Sequence, residues 1–155
     1  MSLVVRRATT LDRESAIRIV FDSLRAFGIE PEPETMDADV MRFGGGSDGA
    51  YEIVATLDGQ VCGVSALSPR AGNVGWVSKV FVDASYRRRG AARALMADIV
   101  REGRARGYDR LGLQTRTVFR EAIALYEGSG WTRGPSPSSG PCDRTYWLAL
   151  ATPTP

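Results

Sequence analysis

The sequence predicts an α/β fold: a mixed, mostly antiparallel central sheet of about seven strands flanked by about four helices, in the order β-α-α-β-β-β-α-β-α-β-β. Three observations predict it. Runs rich in β-branched and aromatic residues alternate with segments whose apolar residues recur every three or four positions. Two such runs, YEIVATL (51–57) and QVCGVSAL (60–67), are joined by Asp58-Gly59, a strong two-residue hairpin signal. A helical segment separates WVSKVFV (76–82) from RLGLQT (110–115), which favours a parallel pair joined by a right-handed crossover.

Each element has a local reason. LVVRRAT (3–9) reads as a first strand. Thr9 and Asp12 stand three apart, the spacing of a capping box, and Ile17, Val20, Phe21 and Leu24 then recur at helical spacing, giving a helix near 11–26. GIEPEPET (28–35) is an acidic, proline-containing connection. Met36, Val40 and Phe43 suggest a shorter second helix, ended by the flexible GGGSDG (44–49). After the hairpin, SPRAGN leads to strand 76–82. A third helix begins near Ala91, carries Leu95, Met96, Ile99 and Val100 on one face, and stops at Gly107-Tyr108. Strand 110–115 follows. The last helix covers 118–128 with Phe119, Ala122, Ile123 and Tyr126 on one face, and GSGW stops it. GPSPSSGP (134–141) is a loop by composition, and RTYWLAL (144–150) alternates and closes the sheet.

The 155 residues suit one domain, expected over 1–150, with ATPTP (151–155) as a frayed tail. The composition, 43% hydrophobic and 25% charged, is that of a soluble protein. No run of about 18 apolar residues exists to span a membrane, and MSLVVRRATTLDRE lacks the apolar core of a signal peptide, so a cytoplasmic location is expected. A net charge of +2 confines any attraction to polyanions to local clusters. Lys79 is the only lysine; with abundant alanine and glycine, the reliance on arginine suggests a bacterial chain of high GC content. Cys62 and Cys142 have no metal-ligand spacing and no expected disulfide. There is no histidine, which removes imidazole bases and the commonest zinc ligand, and no metal is expected.

The densest chemical signal is SYRRRGAARALM (85–96). A helix start leaves backbone N–H groups without intrahelical partners, at the positive end of the dipole. An anion there is stabilised by the backbone itself. Gly90 permits close approach, Ala91 and Ala92 keep the first turn slim, and Arg87, Arg88 and Arg89 add charge-assisted donors. The combination suits a pyrophosphate. A phosphate loop of the G-x-x-x-x-G-K-[ST] kind and a G-x-G-x-x-G after the first strand are both absent. Arg87-x-x-Gly90-x-Ala92, preceded by VFVDASY (80–86), resembles the [RQ]-x-x-G-x-[GA] motif of the GNAT superfamily of N-acetyltransferases. ALYEGSGW (124–131) resembles that family's L-Y-E-x-x-G-[FW] signature. The resemblance runs over essentially the whole chain in the same element order.

What the resemblance implies is acetyl transfer from acetyl-coenzyme A, as co-substrate, to an amine by direct attack in a ternary complex. It implies a bulge in the fourth strand and a gap beside it for the pantetheine arm, so that Val80, Phe81 and Val82 supply backbone contacts and the Val80 N–H polarises the thioester carbonyl. Tyr126 matches the tyrosine that protonates the departing sulfur; without that resemblance it reads first as a core-facing aromatic of an amphipathic helix. Phe119 stands where many relatives place a cofactor-touching asparagine, making those contacts apolar. Trp76 stands where a glutamate base would fall. Ser78, on the same strand face as Trp76 and Val80, is a candidate to hold a water, and Glu52 on the neighbouring strand is a second candidate for base work. Lys79 is expected on the opposite face from Ser78, its stem packed and its ammonium in water.

The acceptor side implied by the family is built from residues 27–39 and the loop 134–141. Glu30, Glu32, Glu34, Asp37 and Asp39 form an acidic cluster that would attract a cationic amine or simply be solvated surface. The expected acceptor is a primary amine of a small molecule or peptide, of unspecified identity. A homodimer is compatible with this reading; nucleic-acid and membrane partners are not expected. The alternative is a catalytically weak acyl-CoA-binding module with a regulatory role, against which the intact Tyr126 argues. A lone basic turn in a near-neutral chain makes a nucleic-acid-binding domain a poor reading.

Overall fold

The computed structural model describes residues 2–46 and 49–150. Part of the expected turn at 44–49 and the whole expected tail at 151–155 lie outside the described residues. A single seven-stranded sheet organises the chain. Its strands are β1 (Leu3–Arg7), β2 (Tyr51–Leu57), β3 (Gln60–Arg70), β4 (Val74–Val82), β5 (Arg110–Thr115), β6 (Thr132–Arg133) and β7 (Arg144–Ala149), in spatial order β1-β2-β3-β4-β5-β7-β6. Only β4 and β5 run parallel. The helices are α1 (Arg13–Ala26), α2 (Ala91–Ala105) and α3 (Arg120–Gly128).

The β2–β3 hairpin turns at Asp58 (φ 50) and Gly59 (φ 84), both left-handed, and so closes Leu57 onto Gln60. Two successive positive φ values are what a two-residue turn needs to match strand twist. β3 runs on to Arg70, into the stretch expected as a loop, and turns at Gly72 and Asn73, again both left-handed. Pro69 is tolerated because β2 pairs with β3 only as far as Leu67.

Period-two alternation on β2 divides the core. Val54, with Val64 of β3, packs with Ala16, Val20 and Leu24 of α1. Ile53 and Ala55 face the other way, into a larger cluster with Leu95, Met96 and Ile99 of α2. β2 is therefore buried throughout. In α3, Tyr126 packs against Trp131 and Tyr146, with ring centroids 5.9 and 6.0 Å apart.

One expected helix does not form. Residues 36–43 hold only a 3-10 turn, Val40–Arg42, so three α-helices flank the sheet rather than four. The chain before it closes on itself instead: the Glu32 N–H donates to the Asp37 carboxylate, and the Glu32 carbonyl accepts from the Thr35 and Asp37 N–H groups, a local alternative to helical hydrogen bonds. Val40 and Phe43 are nevertheless buried against α1, which is the contact their spacing reflects.

The entry to α1 is fixed by a capping box. Thr9 Oγ1 accepts from the Leu11 N–H, and the Asp12 carboxylate accepts from the Thr9 N–H at 2.8 Å. Arg6 then grips Asp12 through two hydrogen bonds of 2.9 Å, joining β1 to the helix entry. The Arg6 hydrogen bonds, opposed by burial and helped by the Thr9 N–H, hold the Asp12 carboxyl below its ordinary pKa. Asp12 therefore stabilises the fold above the unfolded carboxylate pKa of about 3.9, and that contribution is lost as pH falls through the lower folded value. Asp12→Asn should lower stability at neutral pH by about 1 kcal/mol, discounted for the solvent exposure of Arg6. Urea unfolding should show the gap to the wild type narrowing as pH falls below the unfolded carboxylate pKa of about 3.9.

Candidate active site

The site begins with an irregularity in β4. Gly63 and Val64 of β3 pair with Val82 and Phe81, and Ala66 pairs with Ser78. Between these pairs β3 has one residue, Ser65, and β4 has two, Lys79 and Val80. The extra residue is a β-bulge, with Lys79 left-handed (φ 58) and Ser65 Oγ donating to the Ser78 carbonyl at 3.4 Å. On its other side β4 pairs with β5 only from Val74 to Trp76, the last pair being Trp76 with Gly112. Beyond it β5 continues against β7 alone. The two parallel strands part, and a cleft of about 610 Å3 opens between them, bounded also by α1, the 36–40 segment, α3 and the start of α2.

Gly112 marks the parting point. A Cβ there would lie 2.5 Å from Trp147 and 2.7 Å from Trp76. The two indoles meet edge-on, with centroids 5.9 Å apart, and each carries an arginine over its face: Arg70 on Trp76 and Arg110 on Trp147, both at 3.9 Å. At the opposite wall, Phe119 precedes α3 in a non-helical conformation and makes edge contacts with Phe27 of the α1 terminus (5.0 Å) and Phe81 of β4 (5.8 Å).

The turn from β4 into α2 is held from below. Asp83 caps the Ser85 N–H, receives Arg18 of α1 at 2.9 Å, and donates its own N–H to the Cys62 carbonyl. Burial opposes ionisation of Asp83, but the hydrogen bonds from Arg18 and Ser85 outweigh it and keep its pKa below the ordinary value. Above this anchor Arg87 is extended, Arg88 is left-handed (φ 62) and Gly90 is left-handed (φ 83). Such changes of hand turn successive N–H groups toward one point, the geometry of an anion-binding concavity. Gly90 is the N-cap of α2, and no side chain caps the helix. The uncapped first turn, Gly90–Arg93, lines the cleft together with Arg87 and Arg88.

Of the candidate residues, Ser78, Val80, Phe81, Val82, Arg87, Arg88, Gly90, Ala91, Ala92, Phe119 and Tyr126 all border this one cleft, as does Trp76. Arg89 is exposed and does not line it. Tyr126 is 3% exposed and borders the cleft. Burial pushes its pKa above the ordinary phenol range.

Two expectations are corrected. Glu52 does not face the cleft. It is buried, and one carboxylate oxygen accepts the N–H groups of Gly44 (3.1 Å) and Gly46 (2.8 Å), which makes it the anchor of the turn before β2. Lys79 does not project to solvent on the face opposite Ser78. The bulge breaks the alternation, so both residues line the cleft, and the Lys79 ammonium donates to Ser78 Oγ at 3.3 Å and pairs with Asp39. Sequence reasoning also missed Arg93, one turn along α2 from Gly90, and the β5 wall at Leu113–Arg116. The spacing of Arg93 from the glycine was the available signal for the first; the second needed the parting of the strands. Among the described residues no group of three or more His, Cys, Asp or Glu could hold a metal ion, both cysteines are free, and no helix is long and apolar enough to cross a membrane.

Residues 17–131 match the family model described as "Acetyltransferase (GNAT) family". Human N-acetyltransferase 8 is 37% identical over 54 residues, a match that spans 35% of this chain and 24% of that protein. The uncharacterized N-acetyltransferase YjgM of Escherichia coli K12 is 25% identical over 142 residues, 84% of this chain and 82% of its own length. The PaiA N-acetyltransferase of Thermoplasma acidophilum, solved in complex with coenzyme A, superposes with a TM-score of 0.82 at 16% identity, covering 96% of this chain and 99% of that one.

The assignment of Glu52 as a turn anchor has its own test. Glu52→Ala removes the buried acceptor of two N–H groups in the turn, those of Gly44 and Gly46, and should lower stability by about 1 kcal/mol, read from chemical denaturation. Unchanged stability would return Glu52 to the list of candidate proton acceptors.

Proposed function

The chain belongs to the GNAT acetyltransferase family, and from that premise we propose that it transfers an acetyl group from acetyl-coenzyme A to a primary amine by direct attack in a ternary complex. The observation that carries this reading is the continuity of three features in one cleft: the unpaired edge of β4 beyond Trp76, the uncapped start of α2 at its end, and Tyr126 in its wall.

The volume suits a ligand of cofactor size. The turn at 87–93 would hold the pyrophosphate through backbone N–H groups, the helix dipole and the arginines. The pantetheine arm would lie along β4 as β5 would have done, taking the backbone groups of Val80 and Val82. The bulge turns the backbone at Val80, and its N–H is our choice for polarising the thioester carbonyl as negative charge develops there. The amine nitrogen forms the new C–N bond, the C–S bond breaks, and the amine proton leaves through water held at Ser78. Tyr126 supplies the proton that the departing thiolate needs. Its raised pKa keeps it protonated at any working pH, and the same burial desolvates the thiolate and makes it a stronger base.

Gly90→Glu tests the cradle. A Cβ at Gly90 meets nothing nearer than Leu3 at 4.0 Å, so the fold has room for the side chain, though its left-handed backbone becomes strained. The new carboxylate would occupy the phosphate position. Calorimetry should show acetyl-CoA binding lost, with the folded variant verified by circular dichroism; unchanged affinity would overturn the cradle.

Tyr126→Phe removes one hydroxyl and keeps the ring that packs on Trp131 and Tyr146, so packing should persist. Turnover should fall roughly 10²-fold with little change in KM for acetyl-CoA, because the thiolate exists only late in the reaction. Wild-type kcat under conditions where chemistry limits turnover would reduce Tyr126 to a packing residue.

A further inference from the structure

We infer that the acceptor carries a carboxylate close to its amine, as an amino acid does, and that Lys79 receives that carboxylate while Asp39 receives the ammonium. The inference rests on the acetyl-transfer reading and specifies its substrate class. It starts from an ion pair in an unusual place. Lys79 is the only lysine in the chain, and it occupies the bulge in a left-handed conformation that residues other than glycine seldom take. That conformation delivers its side chain into the cleft, where it is only 12% exposed. Its partner Asp39 sits at the rim and is 54% exposed.

An ammonium offers three N–H donors. Asp39 and Ser78 are its partners among the described residues, leaving donor capacity for a ligand oxygen. An entering zwitterion can exchange partners with this pair without leaving any charge alone: its carboxylate replaces Asp39 on Lys79, and the freed rim carboxylate takes its ammonium. Breaking the pair any other way would strand a charge in a largely covered site, which is strongly unfavourable. A polyamine would set a second cation beside Lys79. A simple amine would leave the pair intact and find no ionic anchor on it.

The surroundings agree. The Lys79 ammonium lies 3.3 Å from Ser78 Oγ, so a group held on it sits beside the residue assigned to hold the water. Leu24, Phe27 and Met36 line the same part of the molecule as Asp39 and offer an apolar wall for a side chain.

The test compares phenylalanine, phenylalaninamide and phenethylamine, which share one side chain and differ in the group beside the amine. Thiol release from acetyl-CoA should be at least about ten-fold more efficient, as kcat/KM, for the acid than for the other two. In Lys79→Met that ratio should collapse toward one through a raised KM for the acid, and Lys79→Arg should restore much of it. Should Lys79→Met fail to fold, Asp39→Asn at the half-exposed rim should lower kcat/KM for phenylalanine by a similar factor. Equal use of all three amines by the wild type, or a preference kept in Lys79→Met, would overturn the inference while leaving acetyl transfer standing. Absence of thiol release with every amine would instead overturn the acetyl-transfer reading, and the inference with it.

Discussion

The limited partnership of β4 is the constraint on which the rest of the site depends. On one edge it stays paired to β3 to its last residue; on the other it holds β5 for three residues and lets go. A parallel pair that stayed zipped would have no cleft. The release has two causes in the chain. A bulge at Lys79 and Val80 adds a residue to β4 and increases its local twist, while β5 is kept straight by an uninterrupted ladder with β7. At the fork itself Gly112 allows two tryptophans to close over a bare backbone, so the strands stay joined up to that point and no further.

The electrostatics follow the same geometry. Net charge is nearly balanced, but its distribution is not. Positive groups concentrate where α2 begins, and carboxylates concentrate on the segment that faces it across the cleft mouth. Two ion pairs tie these territories to the scaffold: Arg18 with Asp83 beneath the turn, and Lys79 with Asp39 across the cleft. The first braces a backbone that has no side-chain cap of its own. The second is the point at which the acidic segment touches the sheet. Three phenylalanines, Phe27 after α1, Phe81 of β4 and Phe119 before α3, meet edge-on in the cleft wall.

Much of this was legible in residue order. The Asp58-Gly59 turn could be read because left-handed backbone at two adjacent positions demands such residues, and the capping box at Thr9 and Asp12 because it is a contact three residues long. The start of α2 was legible for the same reason: the glycine, the small residues and the arginines are adjacent. What escaped depends on distance in sequence. A bulge is invisible to a period-two count, and one extra residue was enough to move Lys79 from the wrong side of the sheet into the cleft. Glu52 looked available because its acceptor role is fulfilled by N–H groups in a loop with no pattern of its own. The segment at 36–43 carried a helical rhythm, but its apolar residues needed only burial against α1, and a 3-10 turn provides that.

The placement of Lys79 has a consequence for the protein's own chemical durability. Thioesters acylate neutral amines without any catalyst, and a chain that works with one is continually at risk of modifying itself. Here every other basic side chain is an arginine, whose guanidinium keeps its proton and offers no nucleophilic nitrogen. There is no imidazole either. The one side-chain amine is mostly covered and paired with the Asp39 carboxylate. Under the proposed acetyl transfer, the exposed surface therefore offers the thioester almost no side-chain amine.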